Sequence, residues 1–285
     1  MASPHKRNIA ILHPGAMGSS VAAAATSAGH TVRWCSAGRS EASSKRAQQA
    51  GLVAVTSLPD LLAASDMVIS VCPPASAVDV AAEVAAAAAQ CGFSGLYLDA
   101  NAISEATALA VAQAFETAEL EGGVEVVDGG IVGPPAWTQG STRLFVSGRR
   151  SGEVASLFDG TLLETVDLGD RYGAASALKM AYAAWTKGSS ALLAAVGAYA
   201  AAAGVDQALE AEWARSQPGL GDRLASTLHS VGPKAWRFVG EMHEIADSFA
   251  SVGQPSGYHR AAAETYAAMA AERARSGPGG EMSHG

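Results

Sequence analysis

From Asn8 to Ser147, short β-branched runs (NIAIL, TVRWC, DMVISV, LYLDA, VEVVD, TRLFVS) alternate with alanine-rich stretches of helical character. This alternation constrains the fold more than any other feature of the chain. Each run suffices for a strand and each stretch between suffices for a crossover helix, so the series implies a mainly parallel sheet. Several runs are apolar at successive positions, as strands covered on both faces require. After ETVDLGD (164–170) no convincing strand follows. Residues 172–203 hold no proline and read as one helix of about 30 residues. Further helices are expected over 205–216, 219–230, 233–252 and 257–275, punctuated by Gly204, Pro218, Gly232-Pro233 and Pro255. The glycine-rich end, SGPGGEMSHG, reads as frayed. The predicted architecture is α/β followed by all-α: a doubly wound sheet domain over 1–168 and a helical substrate and dimerisation domain over 169–285. A helix of about 30 residues is about 45 Å long, longer than a domain of ~115 residues is wide. Its flanks need cover, so a homodimer is expected.

Composition removes whole classes of function. With 49% hydrophobic and 16% charged residues the chain is no disordered polymer. A net charge of −8 leaves no basic footprint for nucleic acid and no polybasic membrane patch. No run approaches the ~20 apolar residues of a membrane span. The apolar stretch near the N-terminus, about five residues, is too short for a signal-peptide core. The three cysteines (Cys35, Cys72, Cys91) form no CxxC pair, which speaks against disulfides and zinc and for a reducing cytoplasm.

The run NIAIL leads into HPGAMGSS and an alanine-rich helix. Strand, glycine-rich turn and helix start are the setting of a dinucleotide fingerprint, and make the first domain Rossmann-like. Gly15 would let the backbone approach a diphosphate, and Gly18 would let the helix pack on the strand. His13, followed by Pro14, stands where the first glycine belongs. The helix start at Ala16 and Met17 offers free N–H groups to phosphate. The second strand ends at Ser36 without the acid that binds a ribose diol in NAD enzymes; Arg39 and Ser40 follow, with Arg33 in the strand. A guanidinium beside a hydroxyl suits a 2′-phosphate, so NADP (NADPH) is favoured over NAD. The bland alternative is a βα turn with a solvated arginine.

These residues resemble the β-hydroxyacid dehydrogenase and 6-phosphogluconate dehydrogenase superfamily, whose usual opening is GxGxMGxxxAxxLxxxGHxV; Gly15, Met17, Gly18, Gly29 and His30 match it. VCPP (71–74) is similar to the family's loop beside the nicotinamide, implying cofactor contacts from Cys72 and Pro73. LDANAIS (98–104) resembles the loop after the fifth strand, and VVDGGIVGPPA (126–136) the substrate loop. ALKMAYAAWTKGSSALL (177–193) is similar to the segment with the family's catalytic lysine. The matches run in order over residues 8 to about 265. GRS after the second strand, KMAYAAWTKG and EMHEIADSFASVGQP resemble a divergent branch whose helical domain is known mainly as a domain of unknown function.

The resemblance makes Lys179 the general acid/base, near the junction of the two domains; apolar neighbours in LKMAY could lower its pKa enough for that task. The family's partner four residues on is replaced by Ala183. Tyr182, Thr186 and Lys187 lie roughly on the same helix face and could supply the missing hydrogen bond. Core packing competes for Tyr182 and Thr186, and a surface charge or anion contact for Lys187. Asn101 is either a residue approaching nicotinamide and substrate or a cap; Asp99 is expected to be structural. The family's Ser-Gly-Gly aligns with Val132, Gly133 and Pro134, leaving the Gly133 N–H as the substrate contact. Arg237, Glu241, His243 and Glu244 could line the cleft, although Arg before Glu at i+4 is also an ordinary surface pair. There is no HExxH zinc motif and no GxSxG elbow.

Three functions follow from the resemblance: an NADPH-dependent oxidoreductase interconverting a small, hydroxy acid-like compound and its carbonyl; an imine reductase, which usually replaces the lysine; or a non-catalytic nucleotide-binding dimer.

Overall fold

A computed structural model describes residues 6–118, 120 and 122–276. The frayed end expected at 277–285 lies outside the described residues. The chain divides into two compact units, one through Met180 and one from Ala181.

The first unit is built on eight strands: β1 (Asn8–Ile11), β2 (Thr31–Cys35), β3 (Val53–Val55), β4 (Met67–Ser70), β5 (Leu96–Asp99), β6 (Glu125–Val132), β7 (Thr142–Ser147) and β8 (Leu163–Asp167). They form one sheet in the order β3-β2-β1-β4-β5-β6-β7-β8. Pairing is parallel from β3 through β6, antiparallel between β6 and β7, and parallel again between β7 and β8. The mainly parallel sheet expected from the alternation is therefore present. The order reverses between β1 and β4, and in such sheets the crevice beyond the strand carboxyl ends at that switch point takes the ligand.

Alternation along β1 shows how the sheet is covered twice. Ile9 and Ile11 join a buried cluster with Val21, Ala25 and Leu98, whereas Ala10 and Leu12 join a second cluster with Leu61, Val84 and Tyr97. The first cluster takes α1 (Ala16–Ser27); the second takes α3 (Leu58–Ala63), α4 (Ala77–Cys91) and α5 (Glu105–Glu116). The remaining helices of this unit are α2 (Glu41–Gln49) and α6 (Ser151–Ser156). His30, just before β2, ties the entries of β1 and β2 to the α6 region. Its Nδ1 accepts from Arg7 N at 3.1 Å, which leaves the proton on Nε2 for the Leu157 carbonyl at 3.0 Å.

The long helix α7 (Ala174–Ala202) begins in this unit. The division falls inside it, later than the composition change near residue 168. The reason is a buried anchor: Asp128 on β6 accepts hydrogen bonds from Ser176 N (2.9 Å), Ser176 Oγ (2.5 Å) and Ser147 Oγ (2.9 Å), and Ala175 N donates to Ser147 Oγ (3.0 Å). The helix's first turns are thus capped from the sheet.

The second unit contains the rest of α7 with α8 (Asp206–Ser216), α9 (Leu220–Val231), α10 (Ala235–Ser251) and α11 (Gly257–Ser276). Buried Trp213, Met242, Ile245 and Tyr266 form its interior. Tyr266 donates its hydroxyl to the Lys187 carbonyl at 2.6 Å and meets Phe238 edge-on, 5.3 Å between ring centroids.

Candidate functional site

Between β1 and α1 the chain turns through Leu12, His13, Pro14 and Gly15. Gly15 N donates to the His13 carbonyl at 2.8 Å, which closes the turn without a glycine at position 13. No side chain among the described residues caps α1. The N–H groups of its first turn, from Ala16 to Gly18, therefore lack side-chain acceptors, and the dipole favours an anion there. The two glycines differ. A Cβ on Gly18 would lie 2.2 Å from the His13 carbonyl oxygen, whereas one on Gly15 would meet nothing within 4 Å. Gly18 is required by packing; protein packing gives no reason for Gly15. Met17 rests against the buried cluster under the sheet, and Ser20 Oγ accepts from Ala136 N at 2.9 Å, joining the loop after β6 to α1.

At the carboxyl ends of β1, β2 and β3 lies a cavity of about 270 Å³, lined by His13, Arg39, Ser57, Leu58, Val80 and Glu83 among others. Arg39 is exposed. Ser40 is engaged locally, its Oγ capping α2 by accepting from Ser43 N at 3.3 Å, and Ser36 Oγ donates to the Val55 carbonyl at 3.2 Å. Arg33 donates to Asn8 Oδ1 at 2.9 Å, which links β2 to β1. Sequence reasoning missed Arg46: its Nε donates to the Pro14 carbonyl at 3.0 Å, bringing a second guanidinium to the glycine turn.

A buried polar row crosses the middle of the sheet. Ser70 pairs in register with Asp99, Asp99 with Asp128, and Asp128 with Ser147. All four are fully buried. Asp99 is pushed up to about 7, chiefly by burial and further by the neighbouring Asp128 carboxylate, while hydrogen bonds from Asn101 oppose the rise. Asn101 Nδ2 donates to Asp99 Oδ2 at 2.8 Å, and Asn101 Oδ1 accepts from Cys72 N at 2.5 Å. Asn101 therefore fixes the backbone of the Cys72-Pro73 loop. The helix-capping alternative is overturned, because Ser104 caps α5 by accepting from Thr107 N. Burial and the Asp99 charge push the Cys72 thiol up to about 11, away from thiolate chemistry.

Lys179, on α7, donates from Nζ to the Ile131 carbonyl at 2.7 Å, near the end of β6. Burial lowers its pKa to about 8. Gly130 makes this possible: a Cβ there would lie 2.7 Å from the Ala175 carbonyl oxygen and 3.0 Å from Lys179 Cβ. The strand runs on to Gly133, whose φ of +123° and contact with the Ser141 carbonyl exclude a side chain. A buried amine thus stands over the DGGIVG segment.

The family described as "NAD binding domain of 6-phosphogluconate dehydrogenase" matches residues 8–157. The chain belongs to this family. A domain of unknown function (DUF1932) matches residues 200–269 of the 6-phosphogluconate dehydrogenase-like chain. No curated protein is significantly similar to it. Among solved structures it is similar to the conserved protein MTH1747 of unknown function, itself described as structurally similar to 3-hydroxyacid dehydrogenases (26% identity over 94% of this chain and 98% of that one, TM-score 0.66). It shares its fold with Mycobacterium tuberculosis 3-hydroxyisobutyrate dehydrogenase (21% identity, 94% of both chains, TM-score 0.70). The fold extends to a reductive aminase from Aspergillus terreus, solved with NADPH and ethyl levulinate (18% identity, 94% of both chains, TM-score 0.56).

This member of the 6-phosphogluconate dehydrogenase NAD-binding family is an NAD(P)-dependent oxidoreductase. Its residues fit a dinucleotide: Gly15 is open, the start of α1 is uncapped, and His13 Nδ1 is buried with no hydrogen-bond partner among the described residues. In the helical unit the family-based expectations need correction. Glu241 is buried in an ion pair with Lys187, whose ammonium lies 4.8 Å from the centroid of the Phe238 ring. Lys187 is therefore no surface charge, and Glu241 is engaged inside its own unit. Thr186 Oγ1 donates to the Tyr182 carbonyl of its own helix at 3.2 Å, and the Tyr182 side chain is exposed. Arg237 and His243 are exposed on α10, with Glu244 half-buried.

Proposed function

We propose that the chain is an NADP(H)-dependent oxidoreductase that interconverts a small hydroxy compound and its carbonyl. The observation that carries this reading is Lys179, an ammonium with its pKa brought down to about 8 and aimed at the end of β6 by one hydrogen bond. A group titrating near working pH can both remove and return a proton. The nicotinamide coenzyme, when bound, donates or accepts the hydride. Gly15 and the first turn of α1 hold its diphosphate, Arg39 and Ser40 meet the 2′-phosphate, and Cys72 and Pro73 border the ring. Asn101 keeps that border in place from behind. Lys179 moves the proton at the substrate oxygen, and the Gly133 N–H contacts the substrate. Val132, Gly133 and Pro134 bring no hydroxyl to hold a carboxylate, which favours imine reduction as the second reading. The helical unit supports a homodimer, because α7 shows a stripe of exposed apolar side chains. The three free cysteines support a reducing cytoplasm as its compartment.

The test is a panel of 2- and 3-hydroxy acids, aldehydes, keto acids and cyclic imines, followed at the NADPH absorbance band with NADH in parallel. Turnover of a hydroxy compound or its carbonyl, faster with the 2′-phosphorylated coenzyme, is expected. Turnover of imines alone selects the second reading. No response to either coenzyme, in turnover or thermal shift, would leave a non-catalytic dimer.

A further inference from the structure

His13 replaces the glycine that usually opens the fingerprint, and its surroundings give that replacement a purpose. Its ring lines the cavity of about 270 Å³ together with Arg39. Its Nδ1 is buried and finds no hydrogen-bond partner among the described residues. A buried ring nitrogen without a partner is costly to keep, and a bound ligand group that satisfies it offsets that cost. Its local charge is also unusual. Burial first, and the Arg39 guanidinium second, hold the imidazole below its ordinary pKa, so the ring is neutral at neutral pH.

The titratable and charged groups lining this pocket beside His13 are Cys35 at the end of β2, Arg39 after it and Glu83 from α4; outside the lining, Arg46 on α2 donates to the Pro14 carbonyl next to His13. Arg39 and Glu83 share the lining with a neutral imidazole, and Arg39 is the charge that acts on it. A phosphate monoester carries about −1.5 to −2 charges at pH 7. Placed against Arg39, it offsets that guanidinium's repulsion of a protonated His13, and it gives the charged ring an anionic hydrogen-bond acceptor against the cost of its burial.

We propose that His13 and Arg39 together read the adenosine 2′-phosphate, with the imidazole taking up a proton as the phosphate seats. The inference rests on the NADP reading of this same site and adds to it a direct consequence: NADPH binding is coupled to pH through His13, and NADH binding is not. Lowering the pH strengthens NADPH relative to NADH, with a slope approaching about tenfold per pH unit where the free ring is neutral and the bound ring charged.

Titration calorimetry on the full chain tests this without turnover. NADPH and NADH are titrated at pH 7 in two buffers of different ionisation enthalpy, and again between pH 6 and 8.5. Net proton uptake with NADPH, its absence with NADH, and loss of the uptake in His13→Asn while NADPH still binds are expected. The two-buffer comparison on the unmodified protein stands even if the variant does not fold. NADPH binding without proton uptake, or uptake that survives in a folded His13→Asn, overturns the inference and leaves the cofactor reading intact. No binding of either coenzyme at millimolar concentration overturns the cofactor reading, and the inference with it.

Discussion

Lys179 shows what burial does to a single charge. Its ammonium keeps a single carbonyl partner, Ile131 O, and burial brings its pKa from 10.5 down to about 8. Oxidation of an alcohol needs the neutral amine, so the oxidation rate is expected to climb with pH and level off above about 8, while reduction, which needs the ammonium, falls over the same range. Lys179→Met should cost about 10²–10⁴ in kcat with coenzyme affinity unchanged. A pH–rate profile of both proteins checks this, and an unaltered profile in the variant removes Lys179 from the chemistry. The resemblance to the family's lysine segment pointed to this residue, and its apolar neighbours in LKMAY made its burial and lowered pKa legible. Arg46 was not, since SSKR reads as a solvated helix face, and only the folded turn brings it to Pro14. The Lys187–Glu241 pair was equally hidden: two charges 54 positions apart carry no local sign that burial joins them. Burying both charges and keeping them paired costs more desolvation than the exposed pair expected, which points to a role in fixing one packing of the helices.

At the scale of elements, the glycine turn separates ligand from packing. Gly18→Ala forces a Cβ to within 2.2 Å of a backbone oxygen, whereas Gly15→Ala enters open space. Overpacking of this kind costs about 1–3 kcal/mol, so Gly18→Ala should lower the melting temperature by several degrees. Gly15→Ala should melt as the unmodified protein does and yet weaken both coenzymes by about tenfold or more, because its methyl group occupies the approach of the diphosphate. Thermal melts with and without coenzyme distinguish the two; equal affinity in Gly15→Ala would mean that the diphosphate lies elsewhere. The strand–turn–helix pattern was plain in the sequence, as were the five C-terminal helices between their glycine and proline breaks. β3 was not, being three residues at the sheet edge with Val53 and Ala54 exposed, too short and too wet to leave a pattern. The early turns of α7 were read with the helical half because their composition matches it. Asp128 holds them to the sheet, and one carboxylate placed by long-range pairing leaves no periodic trace.

At the scale of the whole molecule, the question is what covers α7. Tyr182, Trp185, Leu192 and Tyr199 are 48%, 71%, 52% and 74% exposed. Their spacings of three, seven and seven place them within one stripe of the helix surface. Four large apolar side chains in line are costly to leave in water, at about 1.5–3 kcal/mol for each that could be buried. The described helices contain no stretch apolar and long enough to cross a membrane, so lipid spanning does not explain the stripe. A second copy would explain it, because a heptad-spaced stripe is complementary to itself across a two-fold axis. α7 has 29 residues and is about 44 Å long, enough for an extended helix-to-helix seam. A chain with a net charge of −8 has no long-range attraction to its own copy, so the seam must be apolar for association to succeed. Sedimentation should therefore give a dimer whose stability changes little with salt. Trp185→Glu combined with Tyr199→Glu should yield a monomer of unchanged helix content, since neither side chain is buried within its own chain. A monomer from the unmodified protein at micromolar concentration, or a dimer that survives both substitutions, would mean that another surface does the joining.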